Sequence, residues 1–110
     1  MIAKKFKVPR SELLRLKEFR LYKARDFVIR YKKSELSYNR YLVVVGRKVS
    51  ASAVVRNQVK RMFYRIILAS TFMFVGYDVV VYPNASVVNF TVEDVRSFLT
   101  AAFSNIFTNQ

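Results

Sequence analysis

The stretch AVVRNQVKRMFYRII, residues 53–67, constrains the fold most strongly. Its apolar residues return at every third or fourth position, a period that a helix satisfies and a strand does not. Ser50 and Ser52 precede the run as candidate N-caps, so the spacing predicts a helix over 50–69. At about 100° per residue, Val55, Val59, Met62, Ile66 and Ala69 share one stripe with Phe63 on its flank. Arg56, Asn57, Lys60, Arg61 and Tyr64 fall opposite, with Arg65 further round. One helix is thus expected to bury an aliphatic stripe while presenting cations outward. Like charges one turn apart, such as Arg56 and Lys60, cost a free helix roughly 0.2–0.5 kcal/mol, and bound phosphates would remove that cost.

The remaining segments supply a small sheet. Residues 1–10, MIAKKFKVPR, read as a basic arm that ends at Pro9. Ser11 offers an N-cap to a short helix SELLRLKEF, with Glu12 in the first turn where the helix dipole favours an acid. From Phe27 the pattern changes to alternation, with Phe27, Ile29 and Tyr31 on one side and Val28, Arg30 and Lys32 on the other. SELSYN at 34–39 has turn character, and RYLVVVG at 40–46 reads as a second strand that the short connection would pair antiparallel with the first. YDVVVY at 77–82 is a further strand, stopped by Pro83 and Asn84. A last helix opens at Thr91, with Glu93 and Asp94 in its first turn and Val95, Phe98, Leu99, Ala102, Phe103 and Ile106 at buried-face spacing. A further short strand would fit near 48 or 88. No linker or repeat divides the 110 residues, which predicts a single α+β domain, a small central sheet packed with helices.

Charge narrows the function. Residues 1–65 hold 19 of the 20 Lys and Arg against four acids, whereas residues 66–110 hold Arg96 against Asp78, Glu93 and Asp94. A net charge of +13 concentrated in this way repels itself unless a polyanion is present, so nucleic acid or an anionic membrane is the expected partner. The longest apolar stretch, IILASTFMFVG at 66–76, is shorter than the roughly 20 residues that a bilayer requires. The basic N-terminus lacks the apolar region of a signal peptide. A soluble cytoplasmic protein with no membrane partner is the expectation.

The chain contains no histidine and no cysteine, which removes imidazole bases, thiolate nucleophiles, disulfides and the usual zinc sites together. With two glycines it builds no Gly-rich phosphate loop. The acids near residue 93 are accounted for by helix-end electrostatics and are too few for a metal cage.

The stretch GRKVSASAVVRNQVKRMFYR, followed at the right distance by GYDVVVYP and a closing amphipathic helix, resembles the signature of the bacterial ribonuclease P protein subunit. In that family a strand ends in a basic pair, a short loop follows, and a helix opens with Arg-Asn-x-x-Lys-Arg, here Arg56, Asn57, Lys60 and Arg61. The resemblance covers residues 11–107. The chain departs from the family pattern at Gln58 and Tyr64, where Arg or Lys is usual, in the SASA loop, which lacks a Gly-Lys, and in the short connection LYKAR.

The resemblance implies a two-layer sandwich like a domain of a small-subunit ribosomal protein, containing a left-handed βαβ crossover. It implies two partners, the catalytic RNA of ribonuclease P and precursor tRNA, whose 5′ leader the complex removes. The chemistry would belong to magnesium ions held mainly by the RNA, with none bound by the protein alone and no catalytic residue in it. On this reading Arg47, Lys48, Arg56, Asn57, Lys60, Arg61 and Arg65 contact the catalytic RNA. Phe19, Tyr22, Phe27 or Val28, Arg30 and Tyr31 would hold the unpaired leader by stacking and charge. The main alternative is a structural or ribosomal RNA-binding protein without a role in tRNA processing. A nuclease in its own right would have to work without histidine, and a helix-turn-helix DNA reader would need a second short helix beside 52–69 where the flanks read as strands.

Overall fold

A computed structural model describes residues 4–69 and 74–107. Four strands form one sheet: β1 (Arg20–Lys23), β2 (Phe27–Lys33), β3 (Arg40–Val43) and β4 (Tyr77–Pro83). Three helices accompany them: α1 (Arg10–Leu13), α2 (Ala53–Ala69) and α3 (Val92–Phe107). The strand order is β1-β2-β4-β3, with β1 and β4 antiparallel to β2 and β3 parallel to β4. The β3–α2–β4 passage is therefore a βαβ unit, a crossover that the family resemblance implied.

The expected β2–β3 hairpin does not form. β4 lies between the two, because YDVVVYP is buried almost throughout and only the centre of a sheet covers both faces of such a run. The connection 34–39 passes over the start of β4 instead. The Ser34 N–H donates to the Gly76 carbonyl at 2.7 Å, and Asn39 donates from Nδ2 to the Phe74 carbonyl (2.8 Å) while its Oδ1 accepts the Tyr77 N–H (3.0 Å). Gly76 sits at φ 82°, and a Cβ there would meet the Leu36 carbonyl oxygen at 3.0 Å, so the crossing uses the one residue type that fits.

The main core lies between the sheet and α2 with α3. Phe27, Ile29, Tyr41, Val43, Val79 and Val81 face Val59, Phe63, Ile66 and Ile67 of α2 and Val95, Leu99, Ala102, Phe103 and Ile106 of α3. Thr91 and Asp94 form the reciprocal cap at the start of α3, Asp94 N–H to Thr91 Oγ1 at 3.1 Å and Thr91 N–H to Asp94 Oδ2 at 3.0 Å. Ser52 is the cap of α2, its Oγ accepting the Val55 N–H at 3.3 Å. Phe98 does not join the core; it stays 41% exposed on the flank of α3 against Phe90.

The other face of the sheet carries a smaller cluster, Val8, Phe19 and Val80, edged by Leu13, Leu16, Leu42 and Tyr82. The segment predicted as a free basic arm is laid across this face: Val8 is buried and its N–H donates to the Tyr41 carbonyl at 3.1 Å. Residues 1–3 of that arm lie outside the described residues. The helix expected over 11–19 is one turn, α1, starting after Pro9 with no side-chain cap from Ser11, followed by a 3-10 turn at Leu16–Glu18. A segment this short cannot hold a helix by its own bonds, so packing of Leu13, Leu16 and Phe19 on Val80 sets its shape. β1, absent from the sequence reading, has only two apolar residues and forms by pairing with β2. Residues 47–49 are a turn and Ala85–Asn89 a 3-10 turn, so neither suggested extra strand exists.

Candidate nucleic-acid interface

The cations of α2 divide into two sets. Asn57, Arg61 and Arg65 are exposed and stand one turn apart in a row. Arg56 and Lys60 are half-buried on the flank toward β3. The core stripe is accordingly centred near Phe63 rather than Val55: Val59, Phe63, Tyr64, Ile66 and Ile67 are buried, Val55 and Met62 only partly, and Ala69 is exposed. β3 and α3 both press on the helix, and their contacts, invisible to a helical wheel, set this rotation.

Tyr64, placed outward by the wheel, is buried, and its hydroxyl accepts the Val43 N–H at 3.0 Å. Burial pushes its phenol above the ordinary value, an effect offset in part by that bond. Tyr64 thus closes a backbone donor on the outer edge of β3.

Arg56 also turns inward. Its Nη1 donates to the Ser50 and Ala51 carbonyls, both at 3.0 Å, clamping the loop that precedes α2. That loop begins with the turn in which the Val49 N–H meets the Gly46 carbonyl at 3.0 Å, and Arg47 and Lys48 on it are exposed. The turn and the row on α2 together offer Arg47, Lys48, Asn57, Arg61 and Arg65 to solvent.

The residues expected to hold a leader do not share a surface. Strand alternation puts Phe27 and Tyr31 on the helix-covered side, Phe27 with 1% of its surface exposed and its ring edge-on to Phe63. Tyr31 is half-buried against Phe107, and Tyr22, opposite Ile29 on the same side, accepts a hydrogen bond from Asn105 Nδ2 at 3.0 Å. Phe27 has no surface to offer a ligand. Arg30 and Phe19 belong to the other side, where Phe19 is itself mostly buried under the N-terminal segment.

The residues that surround Arg30 on that open side were not singled out from sequence, apart from Val28. Register brings Leu21 beside Arg30 and Lys23 beside Val28, and on β4 Tyr82 beside Val28. Arg30 stands near Tyr82, whose phenol is raised by burial and drawn back by the guanidinium. An aromatic ring, a guanidinium and an ammonium flanking a strip of Leu21 and Val28 suit an unpaired strand. The signal available in sequence was the alternation itself, which already separated Val28 and Arg30 from Phe27 and Tyr31.

Carboxylates gather at the opposite end of the sheet. Asp78 is buried and bonded twice to Arg40, at 2.8 and 2.7 Å, and Glu12 meets Lys32 Nζ at 2.9 Å. Lys32 holds the Glu12 carboxyl below its ordinary value. Among the described residues no group of three or more acids, histidines or cysteines is placed to hold a metal ion, so these side chains do not fit a magnesium cage. Nor is any helix among them long and apolar enough to cross a membrane.

A small α+β domain with a cationic turn and helix on one side and an aromatic, basic strip on the open side of its sheet belongs to the class of basic RNA-binding domains. The family model described as Ribonuclease P matches residues 12–106, and the chain belongs to that family. The ribonuclease P protein component of Petrotoga mobilis is 44% identical over 60 residues, a stretch that spans 54% of this chain and only half the length of that relative. The ribonuclease P protein of Thermotoga maritima superposes with a TM-score of 0.82 at 25% identity, over 90% of this chain and 96% of that one. The Staphylococcus aureus protein, at 18% identity, shares the fold with a TM-score of 0.82, over 93% and 95% of the two chains.

Proposed function

We propose that this chain is the RNA-binding protein subunit of ribonuclease P, assisting a catalytic RNA in removing the 5′ leader from precursor tRNA. The observation that carries the reading is the exposed row Asn57, Arg61 and Arg65 continuing the Arg47–Lys48 turn, on a chain of the ribonuclease P family. Guanidinium groups in such a row fork onto successive phosphate oxygens, and Asn57 adds a donor and acceptor for sugar or base edges.

The strip around Arg30 and Tyr82 takes the leader. Binding there raises affinity for the precursor over mature tRNA, which has lost that segment. Magnesium belongs to the RNA in this division of labour and would supply the nucleophile and charge stabilisation for phosphodiester cleavage. The protein's residues position the two RNAs and neutralise their repulsion.

The test is 5′ cleavage of a precursor tRNA by a bacterial ribonuclease P RNA at low magnesium, with and without this protein. Stimulation, with no cleavage by protein alone, is the expected result. Tight RNA binding without stimulation would instead identify a structural RNA-binding protein, and cleavage by protein alone would overturn the division of labour.

A further inference from the structure

We propose that the pocket where β2 runs past the start of β1 binds a single phosphorylated nucleoside, on the side of the sheet opposite the leader strip. Register fixes that side. Arg20 stands opposite Tyr31 and Lys33 opposite Tyr77, in phase with Phe27 and Ile29, whereas Val28 and Arg30 point the other way. The pocket has a volume of about 270 Å³ and is lined by Arg20, Tyr31, Lys33 and Tyr77 together with Glu18 and Lys32. Sites for small molecules run from roughly 300 Å³ upward, so this one holds a nucleotide and not a strand. It shares no residue with the row on α2 or with the leader strip.

Three donors meet at the pocket. Arg20 and Lys33 are exposed, and among the described residues neither is in an ion pair, whereas Lys32 is committed to Glu12. Lys33 is held in place by the Tyr77 ring, whose centre lies 5.3 Å from its Nζ. The backbone supplies the third donor. The Ala24 N–H donates to Phe27 on the β1 side of β2 and the Ser34 N–H to Gly76 on the β4 side, so alternation turns the Lys33 N–H toward β1. Pairing with β1 begins only at Arg20 and Tyr31, and no strand residue stands opposite Lys33 there. A guanidinium, an ammonium and an open N–H are together the donor set of a phosphate.

The rest of the lining selects what the phosphate is attached to. Tyr31 is half-buried, its ring meeting Phe107 edge-on at 5.7 Å between centres, and the surface left over is a platform for a base. Glu18 is the one carboxylate in the lining, and its contact with Arg15 is a loose 4.0 Å. A carboxylate repels a bare phosphate but accepts hydrogen bonds from ribose hydroxyls, so it favours a nucleoside-linked phosphate over a free one. An acidic side chain of a protein would satisfy the cations and leave both the ring and Glu18 unmatched.

NMR titration of the isotope-labelled protein with adenosine 5′-monophosphate, adenosine and inorganic phosphate tests the proposal. The monophosphate is expected to shift the amides of Arg20, Tyr31 and Lys33, with an affinity about ten-fold or more above that of adenosine or phosphate. Arg20→Gln and Lys33→Gln, both at exposed positions, should each weaken it about three- to ten-fold while the amides of Lys23, Val28 and Arg30 still respond to a short oligouridylate. Glu18→Gln should tighten phosphate and loosen the monophosphate, narrowing the ratio between them. A trinucleotide with a 5′-phosphate separates the two sources of this chemistry: tighter binding than the monophosphate assigns the pocket to an RNA end, weaker binding assigns it to a free nucleotide, and either upholds it. Pocket amides that do not respond, adenosine or phosphate binding as tightly as the monophosphate, or glutamine variants with wild-type dispersion and unchanged affinity overturn the proposal.

Discussion

Arg56 separates a clamp from a phosphate contact, and substituting it measures the difference. Its guanidinium nitrogen bridges two carbonyls at 3.0 Å, one of them partly buried. Charge-assisted hydrogen bonds contribute roughly 1.5–3 kcal/mol each, but these two share one nitrogen and one lies at the surface, so Arg56→Gln should cost about 1.5–3 kcal/mol in all. The loss is local: at about 1.4 kcal/mol per factor of ten, amides of residues 49–52 should exchange roughly ten- to hundred-fold faster in the free protein. In RNA binding, a double-mutant cycle against Arg47→Ala with Lys48→Ala should show coupling of about 0.5–3 kcal/mol, because loosening the loop loses contacts made by those two residues. Unchanged loop exchange together with additive affinity losses would refute the clamp and return Arg56 to direct phosphate contact.

Three further outcomes follow from other contacts. Tyr64→Phe leaves the buried Val43 N–H without its acceptor and should destabilise by about 1–3 kcal/mol in urea unfolding with the m-value unchanged. Arg40→Gln strands the buried Asp78 carboxylate and should cost about 3–5 kcal/mol, and the further change Asp78→Asn should recover much of it. Lys32 lowers the folded-state value of Glu12, so the stability this pair gives the N-terminal segment is full above the ordinary carboxylate value of 4.5 and is lost as pH falls through the lowered one. Protection of the Val8 and Leu13 amides, taken relative to their intrinsic exchange at each pH, should therefore fall on acidification in the wild type, and Glu12→Gln should flatten that acid limb.

What sequence disclosed was whatever depends on local period. The span of α2, its Ser52 cap, the Thr91–Asp94 box, the alternation of β2 and the reach of β4 all follow from neighbours a few residues apart. What it did not disclose depends on partners distant in the chain. β3 paired with β4 rather than β2 because a doubly buried strand had to be central, and α2 turned about its axis because Tyr64 reached the β3 edge. The candidate interface divided along the same line. Asn57, Arg61 and Arg65 were legible as an exposed row, while Arg56 was drawn to carbonyls of its own loop, and Tyr82 entered the leader strip only through its register with Val28.

The same contacts decide how much of the formal charge is available to RNA. Of the 20 cations, Arg15, Lys32, Arg40 and Arg96 are in ion pairs among the described residues, Arg56 clamps a loop and Arg30 stands near Tyr82. Of the other fourteen, Arg47, Lys48, Lys60, Arg61 and Arg65 stand on the helix side and Lys5, Lys7 and Arg10 along the N-terminal segment, and the remaining six belong to neither set. At roughly 0.7–0.9 per neutralised phosphate, these eight give log affinity against log salt a slope of about −6 to −7, whereas the net charge of +13 acting in full would give about −9 to −12. Fluorescence anisotropy with a labelled ribonuclease P RNA across a salt series distinguishes the two. A slope steeper than about −9 would mean that cations beyond these eight neutralise phosphates, and would extend the interface past the helix side and the N-terminal segment.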